Sequence, residues 1–236
     1  MTLTAQTRRA ISSMATRQLL AELVGLASDL GVEWQIESVG GVDAARRVAA
    51  GEVFDLVLLA SDAIDTLIEA GHLLAGSRVD WVRSEVVVAV PSASPWQSLS
   101  TEAQLREAVA QASSLGISTG PSGAYVEQLI RGWGMGDRLE QRRVVPPPGV
   151  PVGRLMAQGQ VALGFQQRSE MMGLDGVRVL GPLPDPVGYT TVFSAGLPVA
   201  LANDPLRRAQ VEQFMAFLCS SSAAPLKLKH GMSALS

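Results

Sequence analysis

The segment VEWQIESVGGVDAARRVAAGEVFDLVLL, residues 32 to 59, decides the fold. Apolar and polar residues alternate over Val32 to Val39, which predicts a half-buried strand. Gly40 and Gly41 make a turn, and Val42 to Ala50 then carries apolar residues at helical spacing. Phe54 to Leu59, apolar except for Asp55, has the length expected for a strand covered on both faces. Upstream, Thr7 to Ser12 predicts a strand. Thr16 to Leu30 predicts a helix, with Leu19, Leu20, Leu23, Leu26, Ala27 and Leu30 on one face and Gly31 stopping it. Strand, helix, strand, helix, strand is the order of a parallel sheet flanked by helices.

The logic repeats downstream. Val86 to Val90 is a strand of β-branched and small residues ending at Pro91, read as a crossing between two lobes. A helix near Thr101 to Ser113 leads to a short strand, Leu115 to Ser118, then the turn TGPSG and a helix from Ala124 to Trp133. The proline-rich stretch PPPGVP, 146 to 151, cannot be helix interior but ends where a helix, Val152 to Gln158, can start; Gly159 closes it. VALGF, 161 to 165, reads as a buried strand and TTVFSAGLPVAL, 190 to 201, as a return strand. Helices at Pro205 to Cys219 and Ser222 to Lys229 end the chain.

Composition narrows the function. With 236 residues, 47% apolar and 17% charged, the chain can bury two cores and is not a disordered tail. A net charge of -3, with lysine only at positions 227 and 229, supplies no cationic face and excludes nucleic acid as a partner. No stretch approaches 18 uninterrupted apolar residues, so no membrane insertion is expected. The N-terminus lacks the apolar core of a secretory signal, which reads as cytoplasmic, or as periplasmic where a signal has been removed. Cys219, the single cysteine, follows the apolar run Phe214 to Leu218 and is expected to be buried. His72 and His230 lack metal-type spacing; no metal and no cofactor are expected. P-loop, dinucleotide, esterase-elbow and zinc-protease motifs are absent from the sequence.

Four places share one design, in which a strand ends, small or hydroxyl residues follow, and a helix begins. They are SSMAT (12 to 16), VGGVD (39 to 43), STGPSG (118 to 123) and PPGVPVG (147 to 153). Each alone is an ordinary turn. Two per lobe, beyond the carboxyl ends of parallel strands, make an anion site from helix N–H groups without any lysine. STGPSG is the strongest, with hydroxyls at Ser118, Thr119 and Ser122, and Gly120 and Gly123 admitting close approach of a ligand. Gln166 and Gln167 follow VALGF with amides able to donate and accept, and strand geometry lets at most one face a cleft. Among the arginines, Arg46 and Arg47 lie on a helix and Arg154 follows the proline-rich turn. Arg17 stands nearest a candidate turn and could clamp a carboxylate.

The segments ISSMATRQLLAEL, ESVGGVDAARRVAAGEVFDLVLLASDAIDTLIEAGHLL, LGISTGPSGAYVEQLI, VGRLMAQGQVALGFQQRSEM and FMAFLCSSSAAPLKLKHGM resemble, in this order, the type II periplasmic binding proteins of the molybdate-binding-like branch. The resemblance implies an α/β fold of two lobes, with mixed, mostly parallel sheets flanked by helices and a ligand cleft between the lobes. Lobe one would be residues 1 to 85 with 193 to 236, and lobe two the inserted residues 86 to 192, hinged near Val88 to Pro91 and Val192 to Ser194. It implies ligand contacts at Ser12, Ser13, Gly40, Gly41, the Ser118 to Gly123 turn, Val150 and Gln167; Met14, in the first turn, is a further candidate contact. A serine usual in the second turn is here Gly41, and a tyrosine usual after the VALGF-type strand is here Gln167. Both changes leave room for a ligand larger than molybdate. The STGPSG and GFQQ segments also resemble the aconitate isomerases, enzymes on this scaffold.

Two functions follow as expectations. The first is a solute-binding protein that closes on a small anion, an organic polycarboxylate rather than molybdate, with a transporter as partner if the protein is exported. The second is a cofactor-free isomerase moving a C=C bond of an unsaturated polycarboxylate. That 1,3-proton shift needs a group able to take and return a proton, for which Ser118, Thr119, Tyr125 and Glu170 are the candidates.

Overall fold

The computed structural model describes residues 6–147 and 149–235. In chain order the first elements are β1 (Gln6–Ser13), α1 (Arg17–Leu26), β2 (Val32–Val39), α2 (Gly41–Ala49), β3 (Leu56–Ala60), α3 (Ser61–Glu69) and β4 (Val79–Pro91). Next come α4 (Glu102–Gln111), β5 (Leu115–Ile117), α5 (Pro121–Gly132), α6 (Gly136–Arg142), β6 (Arg143–Val144) and α7 (Val152–Ala157). The chain ends with β7 (Leu163–Gln167), α8 (Arg168–Met171), β8 (Val177–Pro182), β9 (Thr190–Gly196), α9 (Pro205–Cys219) and α10 (Ala224–Lys229). It forms two compact units: one holds the described residues up to Arg83 and from Val192, the other Ser84–Thr191. β4 and β9 carry the chain from one to the other.

In the first unit β1 pairs in parallel with β2 and β3, and β9 runs antiparallel to β3. Successive residues of β3 point to opposite faces, which is why the whole run is apolar. Leu56 and Leu58 pack with Leu19, Leu20 and Leu23 of α1 and Phe214 and Leu218 of α9. Val57 and Leu59 pack with Ala44 and Val48 of α2 and Ile64 and Leu67 of α3. Each such fully buried Leu or Val contributes about 1.5–3 kcal/mol.

The second unit has β7 between β5, parallel, and β4, antiparallel, with β6 beyond β5 and β8 on β4. Val86, Val88 and Phe165 face α4 and α5, whereas Val87 and Ala89 face Val152, Met156 and Met171.

The structure moves several expected boundaries. α1 stops at Leu26, and Ser28 to Leu30 form a separate 3-10 turn before Gly31, whose φ of 71° only glycine adopts freely. α5 starts at Pro121, three residues before the expected Ala124, because proline has the φ of a first helical residue. β7 takes in both glutamines, and β9 ends at Gly196, with Val199–Asn203 turning as a 3-10 helix. Cys219 is exposed, not buried. It is the last residue of α9, beyond the inward stripe of Val211, Phe214, Met215 and Leu218.

Candidate functional site

In the first unit three strands end side by side. Ser12 lies opposite Ser38 in the β1/β2 register, and their hydroxyl oxygens are 2.7 Å apart. Ser12 is fully buried, whereas Ser38 is half-buried. Ser13 Oγ accepts a hydrogen bond from the Ala15 N–H at 3.3 Å, so it caps the turn that leads through half-buried Met14 into α1. The first and second turns meet here, since a Cβ built on Gly41 would lie 3.9 Å from Ser13 Oγ and touch nothing else. Gly40 is extended and precedes α2, whose leading N–H groups have no acceptor within the helix. Arg17 is exposed and has no acidic partner among the described residues. Sequence reasoning missed Ser38 and Ser61. Ser61 opens α3 directly after β3, which pairs with β1. The signal for Ser61, a hydroxyl between an apolar strand and a helix, was the same as at the other turns; Ser38 needed the strand register.

In the second unit β5 and β7 pair in parallel with Ile117 opposite Phe165, so Ser118 and Thr119 leave the sheet beside Gln166 and Gln167. Ser118 Oγ and Ser122 Oγ lie 3.2 Å apart at the start of α5. Thr119 is exposed and a Cβ on Gly120 would meet nothing within 4 Å, so this bend is open. Gly123 has a different role from the one expected. It lies inside α5, and a Cβ there would sit 1.7 Å from the Ser118 carbonyl oxygen. Its missing side chain therefore lets α5 pack on its own preceding strand.

The proline-rich turn is largely satisfied from within. The Val150 N–H donates to the Pro147 carbonyl at 3.0 Å, and the Val152 N–H donates to Gln166 Oε1 at 2.7 Å. Gln166 Nε2 in turn donates to Glu170 Oε1 at 2.8 Å. Burial pushes the Glu170 carboxyl up to about 7, the Gln166 hydrogen bond pulling it the other way. Gln167 takes the opposite face of β7, as alternation requires. Its Nε2 donates to Thr191 Oγ1 at 2.6 Å, while its Oε1 is buried without a donor. Tyr125 is committed to packing: its hydroxyl donates to the Val187 carbonyl at 3.1 Å, and its ring stacks on Tyr189 at 4.3 Å. A separate cavity of about 580 Å³ in this unit is lined by Glu85, Asp185 and Tyr189 and carries none of the candidate residues.

Strand ends rich in hydroxyls, each running into a helix, are set in both units on the fold of the type II periplasmic binding proteins. The chain belongs to the bacterial extracellular solute-binding protein family, matched over residues 9–233. Among solved structures, it is similar to the periplasmic molybdate-binding protein of Azotobacter vinelandii, with a TM-score of 0.79 and 20% identity over 97% of this chain and 100% of that one. The sulfate-binding protein of Mycobacterium tuberculosis matches with a TM-score of 0.74 and 15% identity over 96% of this chain and 86% of that one. Among curated proteins, an aconitate isomerase of a Pseudomonas species is 29% identical over 171 residues, or 72% of this chain. The chain spans 65% of that relative's length. Among the described residues, no helix is long and apolar enough to cross a membrane.

Proposed function

We propose that the protein is a solute-binding protein for a small organic polycarboxylate. The observation that carries this reading is the meeting of Ser12, Ser13, Ser38 and Gly41 at the strand ends of the first unit. These groups are neutral donors beside helix N–H groups, which suits an anion. The empty space around Gly41, where a serine would fit, favours a ligand bulkier than molybdate. Arg17 and Arg154, exposed and without acidic partners among the described residues, are cations able to pair with further carboxylates. Family membership supports the periplasmic alternative, an exported protein with a membrane transporter as partner.

A second reading, isomerisation of an unsaturated polycarboxylate, is favoured by one observation. Glu170 is a carboxyl held near neutrality and without a cationic partner among the described residues, the property wanted of a group that takes and returns a carbon-bound proton. One experiment tests both. The protein is incubated with cis-aconitate and with trans-aconitate under proton NMR, and its melting temperature is recorded with each acid and with molybdate. Stabilisation by the acids without interconversion is the expected result. Interconversion establishes the isomerase, and stabilisation by molybdate alone refutes the polycarboxylate reading.

A further inference from the structure

We infer that the cavity of about 580 Å³ in the second unit is a binding site for a small organic cation, an alkylamine or diamine with a short apolar body. It shares no residue with the proposed anion site and takes the opposite charge, so it stands or falls without the polycarboxylate reading. Three segments build it: Glu85 of β4, the chain at Ser98 to Ser100 that leads into α4, and the loop from β8 to β9. Both ends of that loop are tied to Val86, next to Glu85. The Leu183 N–H donates to the Val86 carbonyl at 3.0 Å, and the Val86 N–H donates to the Tyr189 carbonyl at 2.9 Å. Tyr125 fixes the middle, its hydroxyl donating to the Val187 carbonyl at 3.1 Å and its ring stacking on Tyr189. The walls are therefore formed before any ligand arrives, as in most small-molecule sites.

The lining sets the chemistry of the ligand. Its charged residues are Glu85 and Asp185, both exposed carboxylates, and no lysine, arginine or histidine lines the space with them. Leu99 and Leu183, both buried, supply an apolar part. Acceptor oxygens converge at Gly188. A Cβ built there would lie 3.5 Å from the Leu183 carbonyl oxygen and 3.6 Å from Asp185 Oδ1, and nothing else would be within 4 Å. Ser100 spends its hydroxyl proton on Gln104 Oε1 at 3.1 Å, which leaves its oxygen to accept. A space lined by acceptors and negative charge suits a ligand rich in N–H donors and positive charge. Glu85 already makes such a pair, its Oε2 accepting from Arg168 Nη2 at 3.0 Å, but exposed pairs of this kind contribute little and can be exchanged for a ligand. Asp185 has no basic partner among the described residues. Simpler occupants fit poorly. The volume is that of an organic molecule, and two carboxylates are too few for a divalent ion; among the described residues no group of three His, Cys, Asp or Glu could hold one.

The test is calorimetry on the full chain at low salt with 1,4-diaminobutane, n-butylamine and 1-butanol, which share an apolar body and differ in charge, and with calcium chloride as a bare dication. Saturable binding of diaminobutane is expected, about tenfold or more tighter than that of butanol or calcium. Asp185→Asn should weaken the diamine by about tenfold, and Glu85→Gln by about threefold because Arg168 already shares that carboxylate. Both positions are exposed, so the melting temperatures should stay within about 2 °C of the wild type. Butylamine binding as tightly as the diamine would support the site with a single carboxylate carrying it, which the two variants identify. Absence of saturable amine binding up to about 10 mM overturns the inference. So does calcium or butanol binding as tightly as the amines, or amine binding that neither variant weakens. Should one variant fail to fold, the other decides.

Discussion

Replacing Glu170 with glutamine isolates the cost of one buried carboxyl. In the folded chain Glu170 gives up its proton at about 7, because burial disfavours the anion; in an unfolded chain the same group ionises near 4.5. The folded state thus holds the proton more tightly. The resulting penalty is small below about pH 4.5, grows between 4.5 and 7, and is fully present above 7. Its size is about 3 kcal/mol, since each pH unit of difference corresponds to about 1.4 kcal/mol. Glutamine at this position can still accept from Gln166 Nε2, so the hydrogen bond survives while the titration disappears. Urea denaturation of both proteins at pH 5 and pH 8 reads the effect as a difference of differences, in which other titrating groups cancel. The two should agree within about 1 kcal/mol at pH 5, and Glu170→Gln should be more stable by about 2–3 kcal/mol at pH 8. Parallel stability curves across this range would refute the assignment of a raised carboxyl.

Two glycines give opposite expectations. Gly123→Ala should destabilise by about 3 kcal/mol despite the higher helix propensity of alanine, because the new Cβ meets the Ser118 carbonyl 1.7 Å away; the urea midpoint measures it. Gly41→Ser should leave folding within about 0.5 kcal/mol, its nearest neighbour being Ser13 Oγ at 3.9 Å. By adding a hydroxyl beside Ser13, it should also raise affinity for molybdate by about 2- to 10-fold in calorimetry.

What the sequence disclosed depended on range. Period-2 and period-3.6 patterns located β2 and α9 to the residue, because Val32–Val39 and Pro205–Cys219 are bounded by a glycine and a proline that local chemistry alone makes punctuators. No expectation covered α3, α6, β6, α8 or β8. β6 has two residues and α8 four, too short for a period to show, and β8 is half-buried from Val177 to Gly181 with no alternation. The candidate residues were chosen by type and by place at strand ends, and both properties are local. What each does with its hydrogen bonds is not. Gly123 was read as an opening toward a ligand, but its nearest neighbour is the carbonyl five residues earlier, which only the strand-to-helix bend brings close. Gln166 and Gln167 are the same residue type in adjacent positions, yet one is closed by Val152 and Glu170 and the other is left half-open.

That contrast separates four turns that look alike in the sequence. At the proline-rich turn the Val150 and Val152 N–H groups already have acceptors inside the unit, so a ligand there would have to displace Pro147 or Gln166. At α2 the leading N–H groups stand beside open space at Gly40, whereas at α5 Pro121 has no N–H and the Gly123 N–H is taken by the Gly120 carbonyl, which leaves the Ser122 N–H beside the open space at Gly120. An anion can reach them without breaking a bond of the protein. Donors that are neutral and fixed attract many anions alike, since helix ends favour negative charge of any kind. On the proposed function, selectivity in the first unit would fall to the hydroxyl withheld at Gly41 and to Arg17, which is exposed and without an acidic partner among the described residues. Such groups would discriminate by what a wrong ligand leaves unmatched as well as by what a right one adds.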